Sequence, residues 1–430
     1  MDGLPRFRCS PGLSIVSDRL RVLMLATYFP KPGNPLMGTW ALSQAQALQR
    51  QDLDIKVVSL TSWIPKFLAR TKGAAAYADC PQQFSWGSLN VEYPRGLWYP
   101  VRPFKDRAFR DPQFQMNLAW STANRYLAHV VKSFRPDVVY AHHTAVNGFF
   151  AERLWSRFQL PFVITDHDFG EIADCALWPA RRSFFAQIAS KAFTMVFPAS
   201  RMEAETRRLF PEAHTRTIPN GTDPIPERLF AESRPECLRD KLMLFSCGAF
   251  YERKGFPLLI EAFAKIAPRF PHVMLRIAGD GADRQRIDEQ IRRFSLQDRV
   301  ELLGFQSHEK VLQEMCWCDA FVLVGWDEPF ATVYSEAMSA GKPVICCNDG
   351  GINDVLRNEV HGLTVSPKNV DAAANALERI VSDADLRNRL GTAARQLFET
   401  SLRWDHNARQ MADIFRDAAA HSRTRLHEPA

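Results

Sequence analysis

Short, continuous apolar runs alternate with amphipathic segments along most of this 430-residue chain. Runs of this kind are typical of parallel strands that are buried on both faces. In the first half of the chain they predict strands at 21–29, 55–60, 137–143, 162–167 and 194–200. Between the first two runs, residues 41–51 carry apolar positions at helical spacing, so the pattern predicts a βαβ unit at the start of the chain.

The same alternation restarts after a segment that begins at Ile218, IPNGTDPIPERLF, which contains three prolines and one glycine. We interpret this segment as a linker. Beyond it, the apolar runs predict strands at 242–250, 273–281, 300–305, 319–326 and 344–347, with amphipathic helices between them. From about 371 to 425 the pattern is helical, and Trp404 is expected to mark a kink where the last helix crosses back to the first domain.

The chain is therefore predicted to be an α/β protein with two Rossmann-like domains whose parallel sheets face each other across a cleft. The predicted divisions are an N-terminal extension, an acceptor-side domain, a linker, a donor-side domain, and a final helix with its tail: 1–19, 20–217, 218–240, 241–400 and 401–430. Residues 61–115, rich in aromatic, proline and basic residues, are predicted to be long loops and short helices. A cleft between such domains is a usual ligand site.

Composition narrows the function classes. Hydrophobic residues at 46% and charged residues at 24% describe an ordinary globular protein. The net charge of +6, without a Lys/Arg run, does not call for nucleic acid, but it suits phosphate ligands or an anionic membrane face. Nine irregularly spaced cysteines indicate reduced thiols and a cytoplasmic location. We expect no signal peptide and, because no 18 consecutive residues are apolar, no transmembrane helix.

Two glutamates carry the strongest chemical signal. Glu328 and Glu336 lie eight positions apart, with Glu328 after a predicted strand and Glu336 inside a helix predicted at 332–340. Backbone N–H groups near Ala331 and Thr332 at the start of that helix would point at an anion. Ionised carboxylates accept hydrogen bonds from diols, so the ligand suggested is a phosphate flanked by polyols, a nucleotide sugar. By spacing alone, a solvated turn and a surface helical residue explain the pair equally well.

Other candidate residues end predicted strands at the same edge. Arg253 and Lys254 precede a helix, where a lysine can neutralise a diphosphate. Glycines in the loops allow the backbone to approach a phosphate closely. The remaining loop candidates are Gly38, Gly248, Gly279, Phe305, Gly350 and Gly351. Several such loops at one edge of a sheet are a more specific signal for a ligand site than any one loop alone.

The ordered set CGAF…ERKGF, IAGDG, LLGF, Glu328-x7-Glu336 with EAMSAGKPV, and NDGGINDVL resembles the retaining glycosyltransferases of family four, which have the GT-B fold. The resemblance covers about 242 to 400. The first domain is similar more loosely, through YFP…GTW…QAQAL, ITDHD and PNGTD.

This resemblance implies roles by position. Glu328 would contact donor-sugar hydroxyls, Glu336 the ribose, and Lys254 the diphosphate. His167 would face the sugar and the departing phosphate, and we expect its neighbours Asp166 and Asp168 to raise its positive character. Without the resemblance, His167 is also explained as a structural or surface histidine. Backbone N–H groups would complete the donor site at Phe330, Ala331, Thr332 and Val333.

The chain departs from the family at two positions. The family has Arg where Ala249 stands, and Arg253 in the same loop is the candidate substitute for binding the diphosphate. The family has Gly where Ala331 stands, and the added methyl group is expected to narrow the choice of sugar. Both glutamates and Lys254 are retained, so an active enzyme is favoured.

The leading hypothesis is a retaining glycosyltransferase that moves a sugar from a UDP- or GDP-sugar to a hydroxyl acceptor in polysaccharide or glycolipid biosynthesis. We expect no cofactor and no metal, since the nearest approach to a metal loop is Asp166-His167-Asp168. A lipid-linked saccharide acceptor and peripheral membrane association are suggested by the family and by the aromatic and basic segment from Trp98 to Arg110.

Two alternatives remain. One is a non-catalytic sugar-nucleotide-binding subunit of a polysaccharide assembly complex, which Ala249 motivates. The other, a nicotinamide-dependent dehydrogenase, is disfavoured because no G-x-G-x-x-G follows the first strand.

Overall fold

An eight-stranded sheet forms the core of the first half of the chain, in a computed structural model that describes residues 19–99 and 104–427. Along the chain, the strands are β1 (Leu20–Leu25), β2 (Leu53–Val58), β3 (Thr61–Ser62), β4 (Gln83–Trp86), β5 (Leu89–Glu92), β6 (Arg95–Gly96), β7 (Val138–His142), β8 (Phe162–Thr165), β9 (Thr194–Phe197) and β10 (Thr215–Thr217). The sheet order is β10-β9-β8-β7-β1-β2-β5-β4, while β3 and β6 form a separate pair. Only the β4–β5 pairing is antiparallel among these described strands.

A six-stranded parallel sheet forms the core of the second half. Its strands are β11 (Leu242–Cys247), β12 (Val273–Ala278), β13 (Val300–Gly304), β14 (Ala320–Leu323), β15 (Val344–Cys347) and β16 (Gly362–Val365), in the order β13-β12-β11-β14-β15-β16. Strands β14 and β15 are buried at every residue, as continuous apolar runs predict for a sheet covered on both faces.

Helices cover both sheets. In chain order they are α1 (Thr39–Gln49), α2 (Lys72–Ala78), α3 (Phe104–Arg110), α4 (Gln113–Phe134), α5 (Phe149–Phe158), α6 (Phe169–Ala173), α7 (Pro179–Ala189), α8 (Ser200–Leu209), α9 (Glu227–Ala231), α10 (Phe256–Ile266), α11 (Arg284–Arg293), α12 (His308–Trp317), α13 (Thr332–Ser339), α14 (Val370–Ser382), α15 (Ala384–Leu397) and α16 (Trp404–His427).

The last helix packs against the first sheet. A π-helical turn ends at Leu402, and α16 begins two residues later at Trp404. Trp404 and Phe415 are buried in the same apolar cluster as Val22 of β1. The buried Asn407 accepts a hydrogen bond from Gln44 of α1, with Nε2 to Oδ1 at 2.7 Å. The carboxyl-terminal segment is therefore part of the core of the first sheet.

The prediction of loops and short helices for residues 61–115 is wrong in part. Strands β4 and β5 lie in this range and extend the first sheet by two strands. All residues of β4 except the half-buried Trp86 are exposed, and β5 buries only Leu89 and Val91, so neither has the continuous apolar run that marks the central strands. Strands β10 and β16 were not predicted, because β10 buries only one of its three residues and β16, with the sequence GLTV, is not a continuous apolar run.

Candidate active site

Glu328 lies in the loop after β14 and is 5% exposed. Its carboxylate faces two cations from the loop that precedes α10. Nζ of Lys254 lies 3.0 Å from Oε1 and 3.0 Å from Oε2, and Nη1 of Arg253 lies 3.0 Å from Oε1. The backbone joins the same loops, since the Trp326 N–H donates to the Arg253 carbonyl oxygen at 3.0 Å. The structure therefore places these three candidate residues in one contact group.

The helix predicted after Glu328 is confirmed as α13, with Glu336 in its second turn. Ala331 precedes the helix and supplies no capping side-chain hydrogen bond. The first backbone N–H groups of a helix have no partners within it, so this end of α13 presents donors and the positive end of the helix dipole. Thr332 and Val333 are half-buried here, and Phe330 is buried.

Glu336 is 8% exposed and is held by a residue that the sequence did not single out. Its Oε1 lies 3.0 Å from Nε2 of His308, the first residue of α12. This hydrogen bond raises the pKa of His308, because the carboxylate favours the charged imidazole. The sequence signal that could have found His308 was its place at the start of the helix that follows β13.

Two pairs of the loops that were predicted to converge are in contact. A Cβ built on Gly279 would lie 2.0 Å from the carbonyl oxygen of Gly248, so the loops after β11 and β12 are in direct contact. The Gly351 N–H donates to the Glu328 carbonyl oxygen at 2.9 Å, which places the loop after β15 against the Glu328 loop. Phe305, by contrast, follows β13 with its ring 70% exposed.

His167 belongs to a cluster of histidines at the carboxyl ends of β7 and β8. Its ring stacks on His142 with centroids 5.3 Å apart and meets His143 edge-on at 5.6 Å. Both ring nitrogens of His167 are buried and have no hydrogen-bond partner within residues 19–99 and 104–427. Burial, followed by the charge of His143, lowers the pKa of His167 to about 3. Asp166 acts on the pKa of His167 in the expected direction, but burial and His143 outweigh it, so the net effect is opposite to the expected rise in positive character.

Asp166 instead supports His143. Its Oδ1 lies 3.6 Å from Nδ1 of His143, and its Oδ2 accepts hydrogen bonds from the backbone N and Oγ1 of Thr144 at 2.9 and 2.6 Å. Burial by itself lowers the pKa of His143, but the carboxylates of Asp166, Glu171 and Asp168 together outweigh it and the pKa is raised. The sequence suggested His167 as the partner of Asp166 because the two are adjacent in the chain. Adjacency does not show that the end of β7, with His143, lies beside the end of β8, with Asp166.

Gly38 lies near this cluster. Its φ is 69°, and a Cβ would stand 2.2 Å from the Tyr28 carbonyl oxygen, so glycine is required at this turn between β1 and α1. Two residues on, the Trp40 ring lies 6.1 Å from the ring of His167. Gly38 is thus brought to the first-sheet side rather than to the Lys254 loop.

Contacts across the cleft bring the two sides together. The Arg201 guanidinium lies 4.4 Å from the centre of the Phe169 ring, and its Nη1 is 2.7 Å from Oδ1 of Asp327. Ser200 donates to Asp354 through its backbone N and its Oγ, both at 2.6 Å. The segment after His167 therefore lies opposite the loop that carries Glu328.

Within the residues that the structure describes, no group of three or more His, Cys, Asp or Glu side chains could hold a metal ion. No described helix is both long enough and apolar enough to cross a membrane.

Both halves of the chain match models of known glycosyltransferases. A family model described as group 1 glycosyl transferases matches residues 231–397, and one described as glycosyltransferase family 4 matches residues 37–225. An uncharacterised glycosyltransferase of Methanocaldococcus jannaschii is 30% identical over 42% of this chain and 46% of its own length. Glycogen synthase of Mycobacterium tuberculosis is 27% identical over 66% of this chain and 69% of its own length. The matched segments thus span about half to two thirds of these relatives.

Solved structures show the same fold. Sucrose-phosphate synthase from Thermosynechococcus elongatus superposes with a TM-score of 0.74 at 21% identity, covering 94% of this chain and 100% of that one. Anabaena HepE in complex with UDP-glucose superposes with a TM-score of 0.65 at 17% identity, covering 93% of this chain and 100% of that one. The fold is therefore that of the GT-B glycosyltransferases. Within this class, the chain belongs to glycosyltransferase family four, since the family 4 model matches its first half and the group 1 model matches its second half.

Proposed function

We propose that this protein is a retaining glycosyltransferase that moves a sugar from a nucleotide diphosphate sugar to a hydroxyl acceptor. The observation that supports this most directly is the contact group of Lys254, Arg253 and Glu328 beside the amino-terminal end of α13. It combines cations and backbone N–H groups for a diphosphate with a buried carboxylate for sugar hydroxyls. Retention at the anomeric carbon is proposed from the resemblance to the retaining family.

In this proposal, Glu328 accepts hydrogen bonds from the donor sugar, and Lys254 lies between it and the diphosphate. Negative charge grows on the diphosphate as its bond to the anomeric carbon breaks. The Lys254 ammonium and the N–H groups at Ala331 to Val333 stabilise that charge, and fixed donors of this kind usually make a large electrostatic contribution to catalysis. The acceptor oxygen forms the new glycosidic bond on the face that the diphosphate leaves, and its proton passes to the departing diphosphate oxygen.

Glu336 is proposed to anchor the ribose of the donor. His308 engages Oε1 of Glu336 at 3.0 Å and so fixes the carboxylate, leaving its other oxygen for a ribose hydroxyl. His167 is proposed to face the sugar as a neutral imidazole, which can donate one hydrogen bond and accept another. UDP- and GDP-sugars are the proposed donors, no metal is required, and the reaction takes place in the cytoplasm.

Nucleotide binding by a Lys254→Ala variant tests the donor site. Loss of a charge-assisted contact to phosphate is worth about 1.5–3 kcal/mol, so the Kd for UDP or GDP should rise roughly 10- to 100-fold. Lys265→Ala is the matched control, because Lys265 lies on the last turn of α10 and pairs with Asp371 at the surface. Unchanged nucleotide affinity in Lys254→Ala, together with no hydrolysis or transfer of either donor by the wild type, would contradict the proposal.

A second candidate function is a non-catalytic sugar-nucleotide-binding subunit of a polysaccharide assembly complex. It is motivated by Ala249, which is exposed at the position where the family has Arg. Arg253 reaches the Glu328 loop from the same segment, and its Nη1 also donates to the Asp327 carbonyl oxygen at 3.1 Å. We therefore favour Arg253 as the substitute and an active enzyme. Tight nucleotide binding without release of nucleotide in the presence of acceptors would favour the binding subunit instead.

The acceptor is proposed to be a polysaccharide or a lipid-linked saccharide, with the protein peripheral on the inner face of a membrane. Not all of the segment from Trp98 to Arg110, which suggested membrane association, is available at the surface. Trp98 is 5% exposed and packs in the core, whereas Arg107 and Arg110 are exposed. The Arg107 guanidinium lies 5.3 Å from the centre of the ring of Phe114, a residue that is 62% exposed. Residues 100–103 lie outside the described residues.

Vesicle sedimentation with mixtures of phosphatidylcholine and phosphatidylglycerol tests the membrane part. The double change Arg107→Ser and Arg110→Ser should weaken binding by about 1 kcal/mol for each arginine. The double change Arg292→Ser and Arg293→Ser is the control, since both of these arginines are exposed on α11. Equal binding of the two double variants would remove the membrane part and leave the transfer reaction untouched.

A further inference from the structure

The strand order of the first sheet predicts a ligand crevice of its own. Strands β1 and β7 are neighbours, and the chain leaves them toward opposite ends of the sheet, to β2 and to β8. Ligands of open α/β sheets bind at such a reversal, outside the carboxyl ends of the strands. Tyr28 follows β1 and His143 follows β7, and their rings meet with centroids 5.3 Å apart. The two residues therefore line the crevice.

His143 has an unusual backbone conformation, and one of its ring nitrogens has no hydrogen-bond partner among the described residues. Its φ of 67° is unusual for a residue with a side chain, and such backbone persists only where the surroundings enforce it. Asp166 faces Nδ1, while Nε2 on the other side of the ring is buried without a hydrogen-bond partner among the described residues. Since a buried polar atom is normally satisfied, this nitrogen is suited to a ligand.

Glu171 on α6 supplies the complementary group. Its Oε2 is buried and forms no hydrogen bond in the described part of the chain, although Nη2 of Arg181 lies 3.4 Å away. Burial, reinforced by the charge of Asp166, raises the pKa of Glu171 to about 7. The charge of Glu171 also acts on Tyr28 and on His143, so the three side chains share one environment.

The balance of charge selects the chemistry of the ligand. Among the described residues, the basic groups beside Asp166, Asp168 and Glu171 are His143 and Arg181, and each of these already has a carboxylate beside it. Within this described set, a phosphate would find no spare positive charge. A sugar hydroxyl both donates and accepts hydrogen bonds, so it matches a ring nitrogen and a carboxyl group beside an aromatic ring.

We propose that Tyr28, His143 and Glu171 form the acceptor subsite and that it takes the neutral, hydroxyl-bearing end of a sugar rather than a phosphate-bearing group. This rests on the proposed transferase function. His143 donates to the acceptor sugar, Glu171 accepts from it, and Tyr28 packs against its face.

Ligand-observed NMR tests this subsite without the donor. The probes are the methyl α-glycosides of glucose, galactose and mannose, with glucose 6-phosphate as the anionic counterpart. The variants are Glu171→Gln, Tyr28→Leu and His143→Asn, because Asn tolerates positive φ. Glu205→Gln is the control, since Glu205 pairs with Arg208 on the surface of α8. Thermal unfolding of each variant shows whether it is folded, and the three variants test the subsite independently.

At least one methyl glycoside should bind the wild type more tightly than glucose 6-phosphate does. Each folded subsite variant should raise its Kd about five-fold or more, as loss of one hydrogen bond or ring contact implies, with UDP affinity unchanged. Tighter binding of glucose 6-phosphate, no glycoside binding, or binding indifferent to the variants would overturn the subsite. Wild-type protein that binds neither UDP nor GDP would overturn the proposed function instead.

Discussion

Replacing Gly351 with alanine is expected to destabilise the protein, because the backbone leaves no room for a methyl group there. A Cβ at Gly351 would lie 1.8 Å from the Pro329 carbonyl oxygen and 2.6 Å from Cβ of Ala199. Both distances are far inside van der Waals contact, and neither partner is the flexible end of a side chain. The Glu328 loop or the Gly351 turn must therefore move, and the contact with the first-sheet side must open.

The adjacent Gly350 provides a matched control. Its φ is −85°, which any residue adopts, and its Cβ would meet the Glu328 carbonyl oxygen at 3.5 Å and the Glu328 Cβ at 3.6 Å. These are ordinary contacts, so Gly350→Ala should change the free energy of unfolding by no more than about 0.5 kcal/mol.

Forced overpacking costs about 1–3 kcal/mol, and for a domain of this size 1 kcal/mol shifts the Tm by about 2–4 °C. Gly351→Ala should therefore lower the Tm of the ligand-free protein by about 2–12 °C, measured by calorimetry, with Gly350→Ala within about 2 °C of the wild type. If the two variants had equal Tm values, the close approach at Gly351 would not limit the side chain, and the reasoning would be refuted.

Two further predictions concern buried charge. Arg276 pairs with Glu314 through two hydrogen bonds of 2.9 and 2.7 Å inside the second domain, so Arg276→Met should cost about 3–5 kcal/mol in thermal unfolding. Arg269→Met, which breaks an exposed ion pair, should cost no more than about 1 kcal/mol, and equal losses would contradict this. Because the pKa of His167 is about 3 in the folded protein and ordinarily 6.5, its neutral form stabilises the fold above pH 6.5, and this stability is lost as pH falls toward 3. His167→Gln should therefore flatten the dependence of stability on pH between these values, and an unchanged slope would show that His167 is not buried as neutral imidazole.

Local pattern predicted most of the second sheet and its helices. Strands β11, β12, β14 and β15 and helix α13 lie where the apolar runs and the helical spacing indicated, because most of their residues are buried. Strand β13 also lies where it was predicted, although only Val300 of its five residues is buried. The edge strand β4 was missed because three of its four side chains are exposed. An edge strand is defined by its neighbour, so its own residues carry a weak signal.

The candidate donor site was predictable to the level of loops. Glu328, Lys254 and Gly351 each end a strand or precede a helix, and parallel strands bring such ends to one edge. The sequence did not show that Arg253 and Lys254 both contact Glu328, or that His308 forms a hydrogen bond with Glu336. Those contacts join residues that are far apart in the chain, and side-chain packing decides them.

The sequence by itself determined two α/β halves, a helix that carries Glu336, and loops that bring basic, acidic and glycine residues to one edge of the second sheet. Only the tertiary structure decided that Asp166 supports His143 rather than His167, and that Glu171 lies in the same cluster. The physical reason is the order of the first sheet. Strand β7 lies between β1 and β8, so the residues that follow these three strands become neighbours, although no local periodicity relates them.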